Sequence, residues 1–155
     1  MIGKIKYAPG TFASLVTCFL FLILINIFNI VTIFTLTLII FSYSFIAINN
    51  SFDQFKSEDP QEIVIDEVVG QMLPLLAVPI YETLYPLPTM YYCASVFVLF
   101  RLFDIWKPFP VGYVDNNIKG SLGIMLDDIV AGFYSIVILS FILFFLGGWI
   151  NEDYQ

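Results

Sequence analysis

The sequence predicts an all-α protein, a polytopic helical membrane bundle of about five crossings with two of them short or re-entrant, and three observations carry that expectation. Only 12% of the residues are charged and 59% are hydrophobic, where a soluble domain carries roughly 25% charged residues, and the mean hydropathy is +0.90. Residues 12–48 contain no charged side chain at all. Charge is instead gathered into short segments: Arg101–Gly132 holds three of the six basic residues (Arg101, Lys107, Lys119) and four carboxylates (Asp104, Asp115, Asp127, Asp128). The chain, 1–155, reads as a single membrane domain, since helices walled by lipid do not need a large aqueous-type core.

Taken in order, Lys4 and Lys6 ahead of an apolar run resemble the start of a signal peptide. The run outlasts the roughly 7–15 residues of such a segment and lacks an A-x-A-like exit, so it reads as a retained anchor. Residues 12–48 are long enough for two helices at about 20 residues per crossing, folded at a polar turn near Asn26–Asn29. Thr32, Thr35, Thr37 and Ser42 can bond back to their own helices. In the polar loop Asn49–Glu62, Pro60 biases Asp59 away from helix, Ser57 or Asp59 offers an N-cap, and a helix should restart near Gln61 or Glu62. That helix carries IVIDEVVG into the apolar stretch Val68–Ile80, which Pro74 and Pro79 interrupt. Tyr81–Pro88 (YETLYPLP) reads as a turn whose tyrosines suit an aromatic belt. Thr89–Phe100 then returns to the level of Arg101, and Ile129–Ile150 is the last span, ending at Trp149 and an acidic tail. With five crossings, Lys4, Lys6, Lys56, Arg101, Lys107 and Lys119 all fall on one side, which the positive-inside rule makes cytoplasmic. The outer segments then hold Glu82, Glu152 and Asp153 and no Lys or Arg.

Composition excludes several functions. A pI near 4.2 and no basic stripe leave nucleic-acid binding without a footing. There is no histidine, so histidine nucleophiles, general bases and zinc sites are excluded. Cys18 and Cys93 sit in apolar runs without ligand spacing and read as small hydrophobes. Cys93 is too far from Arg101 for a Cys-x5-Arg phosphate loop, and neither a DxDx[TV] nucleophile nor a Walker A sequence is present. Gly120-Ser121-Leu122-Gly123 is a short flexible turn, too weak alone to be a phosphate cradle.

The carboxylates carry the chemistry. Asp66 and Glu67 interrupt a helix about to enter its apolar phase, and neighbours on a helix point about 100° apart, so both can be solvated only in a cleft; the plainer reading is a pair of acids favoured by the helix dipole. Asp104 lies three residues from both Arg101 and Lys107 and shares a helical face with them, as a structural ion-pair relay also would. Pro108 and Pro110 stop that helix and leave the basic side chains at its end, where a phosphate could be held. Asp127 and Asp128 form a second acidic pair at the mouth of a membrane helix, after two glycines that permit close backbone approach. Uncompensated carboxylates at membrane level cost several kcal/mol each, a cost that a divalent cation removes. Hard oxygen ligands without His or Cys favour Mg²⁺, with Arg101, Lys107 and Lys119 on phosphate oxygens, which together are the parts of metal-assisted phosphoryl chemistry.

Four blocks, KYAPGTFASL, DPQEIVIDEVVG, FRLFDIWKPFPV and KGSLGIMLDDIVAG, resemble in order the signature blocks of the phosphatidylglycerophosphatase A family. The resemblance implies an all-helical, Mg²⁺-dependent phosphatase that converts phosphatidylglycerophosphate to phosphatidylglycerol in the bacterial inner membrane. It carries over the acidic positions Asp66, Glu67, Asp104, Asp127 and Asp128, and the basic and turn positions Lys107, Pro108, Lys119, Gly120 and Gly123. Ala13 and Ser121 stand where the family commonly has glycine. Thr11, in the APGT segment, could cap the first helix and meet an anion, or simply end a Pro-Gly turn. On this reading Asp66, Glu67, Asp127 and Asp128 hold Mg²⁺, Asp104 assists, and Arg101, Lys107, Lys119 and Thr11 bind the phosphates of a membrane phospholipid. The alternative is a small cation-handling transporter, which predicts acids near the bilayer midplane and inverted halves rather than acids at one end of the spans.

Overall fold

The structure, a computed structural model, describes residues 8–51, 64–118 and 120–152. All the regular elements among them are helices: α1 (Pro9–Ile27), α2 (Ile30–Ser51), α3 (Ile65–Leu75), α4 (Val78–Leu84), α5 (Thr89–Trp106), α6 (Val111–Asn117) and α7 (Gly120–Glu152). Of these α1, α2, α5 and α7 are each long and apolar enough to cross a membrane. The expected loop caps at Ser57 and Asp59 and the restart at Gln61 or Glu62 lie outside the described residues, as do Lys4, Lys6, Lys56 and Lys119.

The α1–α2 hairpin turns where its asparagines predict. Phe28 N–H closes α1 on the Leu24 carbonyl at 2.8 Å. The Asn29 side-chain oxygen then accepts from Thr32 N–H at 2.8 Å and from its hydroxyl at 2.9 Å, which caps α2. Thr35, Thr37 and Ser42 donate to carbonyls four residues back, as lipid-embedded hydroxyls must find partners within the protein. Thr32 departs from that expectation because the cap engages it first.

The third and fourth passages differ from the sequence reading. Pro74 lies buried inside α3 and Pro79 begins α4, so the two prolines break the passage into two helices without ending it. Tyr81 and Glu82 are helical, and the turn is confined to residues 85–88. Tyr81 is buried in the core rather than placed at a membrane surface, and its hydroxyl bonds the Ile136 carbonyl at 3.1 Å and Ser140 Oγ at 2.9 Å. Gly70 abuts Asp128, Gly132 abuts Pro74, and Gly147 abuts the Tyr85 ring, so α3 and α4 run parallel to α7 from its acidic pair to its far end. Twenty residues at a helical rise make about 30 Å, the thickness of a hydrocarbon core, so α3 and α4 together have the length of a passage, although neither alone is among the four helices long and apolar enough to cross. The returning helix α5, by contrast, is unbroken over 18 residues.

Phe21, Ile33, Leu75, Val78, Tyr92 and Val96 form the buried centre. A second cluster, Phe100, Phe103, Val111 and Ala131, locks the end of α5 and α6 onto α7. Large apolar side chains cover the outward faces, including Phe19, Val31, Ile39, Val98, Phe141 and Phe144.

Candidate active site

Four chain segments meet at one end of the bundle: the starts of α1 and α3, the end of α5, and the early turns of α7. Close approach of backbones sets the meeting. A Cβ at Gly70 would lie 2.8 Å from Asp128 Cβ and 2.9 Å from the Phe100 ring, and one at Gly132 would lie 2.5 Å from the Gly70 carbonyl. Only glycines let α3 and α7 pack this closely, and the contact brings the first turn of α3 against Asp128. On the other side, a Cβ at Gly10 would overlap the Glu67 carboxylate, so α1 closes over Glu67.

Asp66 and Glu67 occupy the first turn of α3, where the helix dipole favours acids, and both turn into the bundle. Asp66 is buried, with its Oδ1 accepting from Glu67 N–H at 3.0 Å. Asp127 and Asp128 do not stand at the mouth of their helix: α7 begins at Gly120, with φ of 79°, so the pair lies about two turns in. The GSLG segment is accordingly the first turn of a helix rather than a flexible loop. Asp127 and Asp128 are both buried although they diverge, because α7 has a neighbour on each side. Asp128 faces α3, and Asp127 accepts from Lys107 Nζ at 2.7 Å.

Lys107 reaches Asp127 because α5 ends there. Trp106 is its last residue, Lys107 adopts φ of 48°, and Pro108 and Pro110 follow, as the prolines predict. Its Nζ also meets Asp115 of α6 at 2.5 Å. Burial opposes the Lys107 charge, but the hydrogen bonds and charges of Asp115 and Asp127 outweigh it and hold the ammonium above the ordinary lysine range. The expected Arg101–Asp104–Lys107 face is therefore split. Arg101 pairs with Asp104 at 2.7 Å, and Lys107 leaves for α6 and α7.

The result is two sets of three carboxylates, Asp66–Glu67–Asp128 and Asp104–Asp127–Asp128, each with oxygens within 4.8 Å of one another. Asp128 belongs to both. Every acidic residue proposed from the sequence is in this cluster. Lys119 lies outside the described residues, and Thr11 does not cap α1: Ala8 does so in a left-handed conformation, without a side-chain hydrogen bond.

Three participants were missed. Asp115 is the second partner of Lys107, and Ser14 Oγ lies 3.5 Å from Arg101 Nη1. Gln71 is fully buried one turn beyond Glu67, and both its amide atoms lack a partner, as do Glu67 Oε2 and Arg101 Nε. Gln71 had a signal in the sequence, a polar residue at i+4 from Glu67 within an apolar run.

The donor set fits a hard divalent cation. All candidate ligands are carboxylates, Glu67 Oε2 is buried without a partner, and six acids (Asp66, Glu67, Asp104, Asp115, Asp127, Asp128) face only Arg101 and Lys107 among the described residues.

Residues 1–143 match the family described as phosphatidylglycerophosphatase A. A Bacteroides thetaiotaomicron protein, provisionally named a phosphatidylinositol-3-phosphatase, is 34% identical over 89% of this chain and 85% of its own length. A Haemophilus influenzae phosphatidylglycerophosphatase A is 32% identical over 88% of this chain and 80% of its own. The Escherichia coli K12 phosphatidylglycerophosphatase A is 43% identical over 54% of this chain and 45% of its own. No solved structure matches the chain. A helical membrane chain whose acids converge at one end, and which matches this family along nearly all its length, is a phosphatase of phospholipid metabolism and belongs to the phosphatidylglycerophosphatase A family.

Proposed function

We propose that the protein hydrolyses the phosphate monoester of phosphatidylglycerophosphate to phosphatidylglycerol in a Mg²⁺-dependent reaction at the cytoplasmic face of a bacterial inner membrane. The observation that carries this reading is the pair of carboxylate triads joined at Asp128. Asp66, Glu67 and Asp128 would hold the ion, with Asp104 and Asp127 beside them as ligands or orienters. When bound, Mg²⁺ supplies positive charge to the phosphate oxygens and to the water that attacks them.

The chain's own residues do the rest. Arg101 and Lys107 stand at the rim of the cluster and take phosphate oxygens, with Lys119 and Thr11 as further contacts. Asp115 keeps Lys107 cationic and aimed, so its charge faces the anion at every neutral pH. In the reaction the oxygen of water forms a bond to phosphorus and the ester bond to the glycerol oxygen breaks. The departing oxygen takes a proton, leaving phosphatidylglycerol and inorganic phosphate. The described basic residues, Arg101 and Lys107, both lie at the carboxylate end of the bundle, which under the positive-inside rule supports the cytoplasmic placement.

The name of the Bacteroides relative favours a second headgroup, an inositol 3-phosphate. Phosphate release from the purified protein, measured with both lipids in matched vesicles, decides between them. The proposal expects phosphatidylglycerophosphate to be the faster substrate, and preference for the inositol lipid overturns it.

A further inference from the structure

We propose that the groove between α1 and α5 holds one acyl chain of the same phospholipid whose headgroup lies in the carboxylate site, so that the enzyme reads its lipid through a chain as well as a phosphate. The inference rests on the reading of that site as a phospholipid phosphatase centre. The groove has a volume of about 550 Å³, and its walls come from α1 (Phe12, Leu15, Leu22) and α5 (Met90, Ala94, Val98) with only hydrocarbon and thiol on them.

Its placement identifies the occupant. The two helices run antiparallel, since Ser14 Oγ lies 3.5 Å from Arg101 Nη1 and Cys18 Sγ lies 4.0 Å from the Cys93 carbonyl, so Phe12 and Val98 mark one end and Leu22 and Met90 the other. The Phe12 end lies at the level of the site: Arg101 lies one turn beyond Val98 on the same face of α5, and its Nη1 stands beside Ser14 Oγ of α1. From Phe12 to Leu22 the helical rise is about 15 Å, half of a hydrocarbon core of roughly 30 Å. The groove thus begins at the level of the headgroup site and ends at the middle of the bilayer, the depth of one leaflet's chains. A phospholipid with its phosphates between Arg101 and the acids would drop a chain directly into it.

Ala94 supplies the test, because it is small, exposed and part of the groove wall. Ala94→Phe should lower kcat/KM for a long-chain phosphatidylglycerophosphate about tenfold, equivalent to withdrawing roughly two methylenes from contact. It should leave the rate on the deacylated headgroup at the wild-type value. Ile39→Phe, on the outward face of α2, places a phenyl ring away from the groove and should change neither rate. An Ala94→Phe enzyme with the wild-type ratio of the two rates overturns the proposal.

A second measurement is independent of catalysis. In vesicles of phosphatidylglycerol carrying a diazirine on the chain end, the wild-type protein should be labelled preferentially at residues 20–22 and 90–94, and labelling spread evenly over α2 and α7 overturns the groove. If the wild type releases no phosphate from either substrate while the label still falls in the groove, the headgroup reading fails and the chain site stands.

Discussion

Replacing Gly70 with alanine places a methyl carbon 2.8 Å from Asp128 Cβ, 2.9 Å from the Asp128 carbonyl oxygen and 2.9 Å from the Phe100 ring. None of these neighbours is the free end of a flexible chain, so α3 and α7 must separate by a fraction of an ångström to about 1 Å. Overpacking of this kind costs about 1–3 kcal/mol, and the better helix propensity of alanine returns about 1 kcal/mol. The net loss of stability is therefore small. Catalysis should suffer more, because the same separation pulls Asp66 and Glu67 away from Asp128, and a misplacement near 1 Å costs on the order of a hundredfold in rate. The expected result is a thermal midpoint within a few degrees of wild type together with a fall in kcat of about ten- to a hundredfold. Gly112→Ala, beside the Lys107 carbonyl on α6, tests whether any tightened glycine has this effect and should cost less activity because it does not separate the two triads. Wild-type kcat in Gly70→Ala would refute the claim that the α3–α7 contact sets the site.

Other outcomes follow from the same geometry. Asp115→Asn should reduce phosphate release several-fold by loosening Lys107, well short of the effect of losing Asp128, and steady-state kinetics on the two variants ranks them. Lys107→Met leaves Asp127 without its partner and should lower stability by about 1–3 kcal/mol, reduced from the fully buried case because both partners of Lys107 keep some exposure. Because folding raises the Lys107 pKa, that stabilisation is complete below the unfolded lysine value near 10.4 and is lost as pH rises through the folded value. The lysine's contribution to the melting difference between Lys107→Met and wild type should accordingly fall away only above about pH 10. Reporter fusions at Tyr85 and Asn116 should fall on opposite sides of the membrane, and finding both on one side would contradict the five-passage bundle.

The helical membrane class and the convergence of the acids could be read from the sequence, for reasons that particular residues make clear. An uncharged run of that length permits little besides a hairpin, and the capping oxygen of Asn29 falls where the polar turn predicted it. Asp66–Glu67 and Asp127–Asp128 had to meet because each pair is intolerable alone in lipid, and the structure brings oxygens of Asp66, Glu67 and Asp128 within 4.8 Å of one another. What periodicity cannot report is contact between distant segments. The partnership of Lys107 with Asp115 and Asp127 depends on a left-handed residue at the end of α5, and the α3–α7 approach depends on Gly70 meeting Gly132 sixty-two residues away. Local signals also misled where helices continued through them. Pro74 sits inside α3, so prolines read as shortening the third passage only break it, and GSLG reads as a turn although its residues begin α7. Thr11 failed as a cap because Pro9 starts α1 one turn earlier than a threonine cap would.

In the proposed reaction, carboxylates joined at Asp128 hold a divalent cation on which phosphate release depends. That dependence is tested most directly by titrating Mg²⁺ calorimetrically into purified wild type and Asp128→Asn, with phosphate release from phosphatidylglycerophosphate measured in the same samples. Saturable binding and Mg²⁺-dependent release are expected in wild type, and loss of both in the folded variant. Undiminished Mg²⁺ binding and release in Asp128→Asn would contradict it.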